Sequence, residues 1–214
     1  GDCDIFKEER DEMQALLIDI EGWEIQMERL LKQIEAYKPC NEQEEKDREL
    51  LIQWIRSGRD IVTRANETAH LTASAWVVSP DRKQVLMAYH NIYNSWAWLG
   101  GHADGEWNLQ KVAIREVEEE SGLSQVTPLQ EAPVSLEILT VDGHWKRGKY
   151  VASHLHLNVT YLMEADPKAP VRKKPDENSA VAWIPVEQIA EKSTEPWFVE
   201  HIYSKLCKKA LTLQ

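Results

Sequence analysis

The sequence predicts a layered domain of the α/β or α+β class, preceded by an N-terminal helical extension. Three observations predict it: an apolar stripe with helical spacing before residue 40, a strand-like texture from about residue 70, and helical segments among and after the strands. The 214 residues, 43% of them hydrophobic, suffice to bury a core and to leave an extension.

The extension begins with a long amphipathic helix. Its apolar residues follow one another at alternating steps of three and four: Met13, Leu16, Ile20, Trp23, Met27, Leu30, Ile34 and Tyr37. Pro39 ends this helix, and Asn41 followed by Glu44 has the form of an N-cap whose N3 residue reaches back to it. A second helix then extends to a break at Ser57-Gly58, with these residues facing inward: Leu50, Leu51, Trp54 and Ile55.

Two interpretations of the stripe stay open. It either forms a seam between two subunits, which predicts a homodimer, or covers one face of the following domain. Gly22 and Trp23 interrupt the stripe and argue against a regular coiled coil. The extension carries no recognisable chemistry, so we divide the chain into a helical extension over 1–66 and a second domain over 67–214.

Strand-like segments fill much of the second part. Residues 71–78 and 85–89 flank the turn Ser79-Pro80-Asp81, which predicts a hairpin. Further strands are predicted over 135–141, 151–163 and 181–184. The charged, proline-containing segment 168–178 predicts an exposed loop, and helices are predicted over 185–192 and 196–211.

Charge and cysteine usage exclude several classes of protein. A net charge of −11 argues against a nucleic-acid partner, which needs clustered basic residues. No apolar run reaches the roughly 18 residues that span a bilayer, so we expect no membrane partner. Cys3, Cys40 and Cys207 are scattered and form neither a disulfide framework nor a zinc motif, which favours a cytoplasmic location.

The segment 100–123 carries the chemistry. Asn108 is suited to begin a helix and Gly122 to end it, with neither glycine nor proline between them. On that helix Glu116, Glu119 and Glu120 stand at i, i+3 and i+4 and share one face. A solvated acidic face is the ordinary interpretation, whereas a hard divalent cation such as Mg²⁺ or Mn²⁺ would neutralise three crowded carboxylates.

The spacing of the residues around these glutamates favours a bound cation over a solvated acidic face. The segment resembles the Nudix box, G-x5-E-x7-R-E-U-x-E-E-x-G-U, where U is aliphatic. The matching positions are Gly101, Arg115, Glu116, Val117, Glu119, Glu120, Gly122 and Leu123. One element departs: the first glutamate of the box falls on Trp107, while Glu106 lies one residue earlier. The resemblance implies that this carboxylate supports the loop and the helix arginine.

The resemblance implies an α/β/α sandwich around a mixed sheet over residues 67–214. It implies a metal-dependent diphosphohydrolase whose Mg²⁺ or Mn²⁺ is held by Glu116, Glu119, Glu120 and the Gly101 carbonyl. Arg115 would orient Glu116, and water activated by the cation and a glutamate would attack a phosphorus atom. The base would be Glu116, Glu120 or a loop acid, for which Glu177 is the candidate; a plain solvated loop acid is the alternative at that position.

Several residues outside the box are candidates for substrate binding. His154 and His156 alternate along a strand and share a face. With Lys149, and Lys146 and Arg147 beside it, they suggest a phosphate-binding wall, against the alternative of ordinary sheet histidines. The other candidates adjoin the box glycines, where they would line the pocket or stack on a base: His102, Trp96 and Trp98.

Two rival functions share the predicted fold. Isopentenyl-diphosphate isomerase requires a catalytic cysteine early in the domain, and no cysteine lies between Cys40 and Cys207. Non-catalytic nucleotide-sensing modules usually have a broken box, whereas Arg115 and the three glutamates are present here. The predicted partner is a small diphosphate, nucleoside-linked or not, and the sequence does not name it.

Overall fold

The computed structural model describes residues 2–213. The main helices are α1 Asp2–Ala36, α2 Glu42–Arg56 and α3 Leu109–Ser121. After the last strand, a 3₁₀ turn Val186–Gln188 leads into α4 Ile189–Lys192, and α5 Pro196–Phe198 continues through a π-helical turn Val199–Tyr203 into α6 Ser204–Thr212. Within the described residues, no helix combines the length and the apolar composition needed to cross a bilayer.

Eight strands form one mixed sheet, and two more form a separate hairpin. The sheet contains β1 Ala69–Val78, β2 Gln84–His90, β3 Ser95–Ala97, β4 Leu99–His102, β5 Thr127–Pro128, β6 Ser135–Val141, β9 His154–Glu164 and β10 Asn178–Pro185. Its main path is β10-β2-β1-β9-β5, with β3, β4 and β6 pairing to β2, β1 and β9. Among the strand pairs that the described residues form in this sheet, the central β1–β9 pair alone is parallel. The hairpin joins β7 His144–Lys146 to β8 Lys149–Val151.

The two faces of the sheet are covered by different helices. Along β1, Ala75 and Val77 face a first core with α1, α2 and α3, whereas Trp76 and Val78 face a second core with the C-terminal helices. This alternation follows from the two-residue period of a strand. The predicted α/β/α sandwich with a mixed sheet is therefore confirmed.

Short strands are where the sequence prediction fails. The segment predicted as one strand over 151–163 divides into the end of β8 and the long β9. The sequence does not predict strands β3, β4, β5 and β7. Each has two to four residues, too few for a two-residue alternation to be recognised.

The apolar stripe of α1 divides into two parts. Leu30 and Ile34 are buried in the first core, so the second half of the helix packs on the sheet domain. Nearer the N-terminus, Met13, Leu16, Ile20 and Trp23 are between 46% and 60% exposed. Trp23 marks the transition, since its ring contacts the Trp107 ring edge-on at a centroid distance of 6.2 Å.

A buried carboxylate, that of Glu44, stabilises the link between α1 and α2. Asn41 caps α2 as predicted, its Oδ1 accepting a hydrogen bond from the Glu44 N–H at 2.9 Å. The expectation that Glu44 reaches back to Asn41 is wrong, because Glu44 Oε1 accepts from the Cys40 N–H instead (3.0 Å). Glu44 is fully buried, and Lys205 and Lys209 of α6 lie 3.3 and 3.0 Å from its oxygens.

Candidate active site

Helix α3 carries most of the predicted site, and its ends agree with the sequence prediction. Asn108 Oδ1 accepts a hydrogen bond from the Lys111 N–H at 3.2 Å. Gly122 ends the helix with φ +71°, in the left-handed region that glycine tolerates best. Val112 and Val117 are fully buried in the first core and fix the rotation of the helix. The glutamate face therefore turns toward the glycines of β4.

The two glycines of β4 let the strand approach both helix glutamates closely. The Gly100 N–H donates a hydrogen bond to Glu120 Oε1 at 2.9 Å. A Cβ on Gly101 would lie 2.4 Å from Cδ of Glu116, and one on Gly100 would lie 2.5 Å from the Ala73 carbonyl oxygen. Any side chain at either position would displace the carboxylate or the neighbouring strand, which explains the pair of glycines.

Three carboxylates converge beside Gly101. One oxygen each of Glu116, Glu120 and Glu177 lies within 4.8 Å of the others. Glu177 comes from the loop before β10, where Lys174 Nζ lies 3.0 Å from its Oε1. Glu119, predicted to join the other helix glutamates, is exposed and outside this group. We call Glu116, Glu120 and Glu177 the carboxylate cluster.

The electrostatics of the carboxylate cluster favour a bound cation. Burial, with the charges of Glu116 and Glu177, raises the pKa of Glu120 to about 8, against the opposing hydrogen bond from Gly100. Burial also raises the pKa of Glu116, although Arg115 opposes that shift. An all-oxygen set of crowded, partly desolvated carboxylates is the donor chemistry that Mg²⁺ and Mn²⁺ take, so the residues present fit such an ion.

Arg115 contacts Glu116 as predicted. Its Nη2 donates hydrogen bonds to Glu116 Oε1 at 3.3 Å and to the His102 carbonyl oxygen at 3.1 Å. Glu106, one residue early in the box, accepts hydrogen bonds from the Asn108 N–H (3.0 Å) and from Lys111 Nζ (2.9 Å). Its carboxylate thus supports the loop and the first turn of α3, while Trp107 is buried in the first core.

A cavity of about 480 Å³ opens beside the carboxylate cluster. Its lining residues include Glu120, Gly101 and Trp98, and also Lys149 of the β7–β8 hairpin. Trp96 is not among the described residues that line it; its ring packs edge-on against Tyr89 at 5.8 Å. Of the two tryptophans predicted to contact substrate, only Trp98 is placed to do so.

Six histidines line the same cavity: His70, His90, His102, His144, His154 and His156. His154 and His156 share a face as predicted, with their Nε2 atoms 3.2 Å apart. His102 and His70 join them, although sequence reasoning assigned nothing to His70. Burial, followed by the charge of Arg64, lowers the pKa of His102 to about 3. Burial, followed by the neighbouring His102, lowers the pKa of His156 to about 2, so both rings are neutral near pH 7.

A sequence signal for His70 existed. Polar residues alternate along β1 at His70, Thr72 and Ser74, which marks one polar face of a strand otherwise rich in apolar residues. The pairing places His70 beside His156 and Thr72 opposite His102. Without knowing that β1 and β9 are adjacent and parallel, the two polar faces cannot be combined.

Comparisons with known proteins identify a family for most of the chain. Residues 68–206 match the family described as the NUDIX domain. Similar solved structures include a Nudix hydrolase of M. smegmatis, with 18% identity, a TM-score of 0.48, and coverage of 68% of this chain and 88% of that one. An Ap4A hydrolase of C. elegans has 20% identity and a TM-score of 0.47, over 66% of this chain and 97% of that one. No curated protein matches the sequence.

Proposed function

The chain belongs to the Nudix family, and from that premise we propose that it is a Mg²⁺- or Mn²⁺-dependent hydrolase. Its substrate is a nucleoside-diphosphate-linked or similar small molecule, and water cleaves the diphosphate bond. One observation carries the proposal: Glu116, Glu120 and Glu177 converge beside Gly101, and both Glu120 and Gly101 line a cavity large enough for such a substrate.

The cation would be held by the carboxylate cluster and the Gly101 carbonyl oxygen. When bound, it would neutralise phosphate charge and lower the pKa of a coordinated water. Arg115 holds the Glu116 carboxylate from one side and is tied to the His102 carbonyl on the other. Glu177, on a loop rather than on the helix and paired with Lys174, is the carboxylate that we propose as the general base.

Substrate contacts are proposed from the walls of the cavity. Trp98 offers an apolar ring and Lys149 a positive charge, and both line the cavity. His102, His154 and His156 line the same cavity, so they would lie beside a bound substrate. Trp96, which packs against Tyr89, would act only through its neighbours.

A hydrolysis screen tests the function. The full chain is incubated with Mg²⁺ or Mn²⁺ and with nucleoside diphosphate sugars, dinucleoside polyphosphates, oxidised nucleotides and non-nucleoside diphosphates. Released phosphate is read after coupling to a phosphatase. Turnover of at least one class that stops on chelation is the expected result. A folded protein that binds a nucleotide without hydrolysing any compound would favour the sensing module instead.

Metal titration gives a sharper prediction for individual carboxylates. Glu120→Gln and Glu177→Gln should each weaken Mn²⁺ binding by at least ~10-fold, since even partners outside the ligand shell are worth ~10–100-fold in affinity. Glu119→Gln should weaken it less, because Glu119 lies outside the carboxylate cluster. Isothermal titration measures all three. If Glu119→Gln weakened Mn²⁺ binding the most, the result would instead support the ligand set predicted from the sequence, in which Glu119 binds the ion.

The exposed half of the α1 stripe is best explained by a homodimer. Met13, Leu16 and Ile20 form a contiguous apolar surface of the kind that usually marks an interface. The NUDIX match begins at residue 68, which supports a catalytic domain from about 67. Truncation there would nevertheless remove extension residues from the first core, among them Leu30, Ile34, Leu51, Ile55, Ile61 and Val62. Point substitutions are therefore the better test.

We predict that the full chain has about twice the 24.7 kDa mass of one chain in light scattering. Leu16→Glu combined with Ile20→Glu should give a monomer, because both side chains lie on the stripe. Ile18→Glu combined with Ile25→Glu is the matched control, since these residues are similarly exposed but point to the opposite side of the helix. A monomeric wild type, or a dimer that survives the first pair, contradicts the proposal.

We propose a cytoplasmic location for the chain. Cys40 and Cys207 are free thiols, which persist in reducing compartments. The side chain of Cys3 lies outside the described residues. Fractionation of cells that express the tagged full chain checks the location, and recovery from an oxidising compartment would reject it.

A further inference from the structure

Histidine side chains from three strands come together near the carboxylate cluster. None of these histidines belongs to that cluster. His70 lies on β1, His102 at the end of β4, and His156 on β9. One ring nitrogen of each lies within 4.8 Å of the others. The ring centroids are 5.1 to 5.3 Å apart, and His154 adjoins both His70 and His156. We call these four residues the histidine cluster.

His70 presents an unpartnered nitrogen to the histidine cluster. The residue is only 4% exposed. Its Nδ1 lies 2.9 Å from the Asn66 carbonyl oxygen, which can only accept, so Nδ1 carries the proton. Nε2 is then a bare lone pair, and it is buried without a hydrogen-bond partner. Buried polar atoms are rarely left unpaired, so this nitrogen calls for a ligand.

His154 is oriented in the same way. Its Nδ1 lies 2.8 Å from the Ala152 carbonyl oxygen, which leaves a lone pair on Nε2. That lone pair accepts a hydrogen bond from Nε2 of His156 at 3.2 Å, and a bound metal ion would replace the shared proton. Two imidazole nitrogens bound to one tetrahedral zinc ion stand about 3.3 Å apart, given Zn–N bonds of ~2.0–2.1 Å. The observed separation is close to that value.

These observations select a cation over an anion. Lone pairs on His70 and His154 repel phosphate oxygens, whereas a metal ion accepts them. A backbone carbonyl oxygen that accepts a hydrogen bond from the opposite ring nitrogen is a usual support of a metal-binding histidine, and Asn66 and Ala152 supply it to His70 and His154. Imidazole nitrogen is a borderline donor and suits zinc-like transition metals, unlike the all-oxygen carboxylate cluster.

We propose that His70, His102 and His156 form a second metal site, which binds a divalent transition metal of the zinc type. His154 lies outside this group of three and contacts it through the Nε2 atom of His156. The site faces the cavity, so its remaining position can be taken by water or by an anionic group of a bound molecule. It does not depend on the proposed hydrolase activity, because its ligands are not those of the carboxylate cluster.

The test is a Zn²⁺ titration of the full chain by calorimetry, with saturating Mg²⁺ present to occupy the carboxylate cluster. Co²⁺ replaces Zn²⁺ in a parallel titration that is read by visible absorption. We expect one ion per chain and a Co²⁺ spectrum of tetrahedral type with nitrogen ligands. His102→Gln and His156→Gln should each weaken Zn²⁺ binding by more than ~10-fold, on the scale of changes around metal sites.

His201→Gln is the matched control, because His201 lies in the C-terminal helices and outside the histidine cluster. It should leave the titration unchanged. Near-UV circular dichroism verifies that each variant is folded. Zn²⁺ binding that is absent in the wild type, or equal in all variants, overturns the proposal. Loss of Zn²⁺ binding only in Glu116→Gln or Glu120→Gln would assign the ion to the carboxylate cluster and overturn it too.

Discussion

Glu116→Gln is expected to lower kcat by at least ~10²-fold, the scale on which the loss of a general base or of a comparable catalytic carboxylate is measured. The amide keeps the shape of the side chain and removes its negative charge. Glu116 faces Gly101 and is held by Arg115, so the change occurs within the carboxylate cluster. The measurement is steady-state hydrolysis of the best substrate from the screen, at saturating Mg²⁺.

Glu118→Gln is the control for that substitution. Glu118 lies on the same helix and is exposed, outside the carboxylate cluster. The same change of charge should therefore leave kcat within about twofold of the wild-type value, because exposed substitutions rarely shift free energies by more than ~0.5 kcal/mol. Equal losses at the two positions would mean that the general acidity of α3 matters, rather than the placement of Glu116.

The sequence predicts the parts of this site that belong to one continuous segment. The spacing from Gly101 to Gly122 places the glycines, Arg115 and the glutamates of α3, because a helix converts sequence spacing into direction. Packing decides which glutamates turn inward. Val117 anchors α3 on the sheet, and this rotation buries Glu120 while Glu119 stays exposed.

The parts that come from separate segments could not be predicted in the same way. Glu177 was only one of several loop acids, and its approach to Glu116 depends on the path of the loop before β10. His70 meets His156 because β1 and β9 pair in parallel across the centre of the sheet. A strand alternation indicates which side chains share a face, and it does not indicate which strand is the neighbour.

The largest feature that the sequence conceals is the ion network around Glu44. Local spacing identifies Glu44 only as the third residue of a helix. In the fold it accepts a hydrogen bond from the Tyr37 hydroxyl at 2.7 Å and faces Lys205 and Lys209. Both lysines come from the opposite end of the chain. The network thereby links the helical extension to α6 and to strand β6 of the sheet.

Glu44→Gln is expected to destabilise the fold by about 3 kcal/mol, the lower end of the cost of removing one partner from a buried ion pair. The substitution leaves Lys209 facing a neutral amide, whereas Lys205, whose side chain is only 7% exposed, keeps the Glu137 carboxylate at 3.6 Å. Urea unfolding of the full chain at pH 7 measures the loss. Glu45→Gln is the control, because Glu45 is exposed in the same first turn of α2. It should change the free energy of unfolding by no more than ~0.5 kcal/mol.

The pH dependence of the free energy of unfolding distinguishes the contribution of the Glu44 charge from that of its packing. Burial alone would raise its pKa, but hydrogen bonds from Cys40 and Tyr37 and the charge of Lys205 outweigh burial and lower the pKa to about 2 from 4.5. Because the folded pKa lies below the unfolded one, the charge stabilises the fold fully above about pH 4.5 and progressively less as the pH falls toward 2. The stability difference between wild type and Glu44→Gln should therefore shrink over that interval. If this stability difference stayed constant with pH, the loss in Glu44→Gln would come from the packing of the amide. The carboxylate charge would then not be what holds the extension in place.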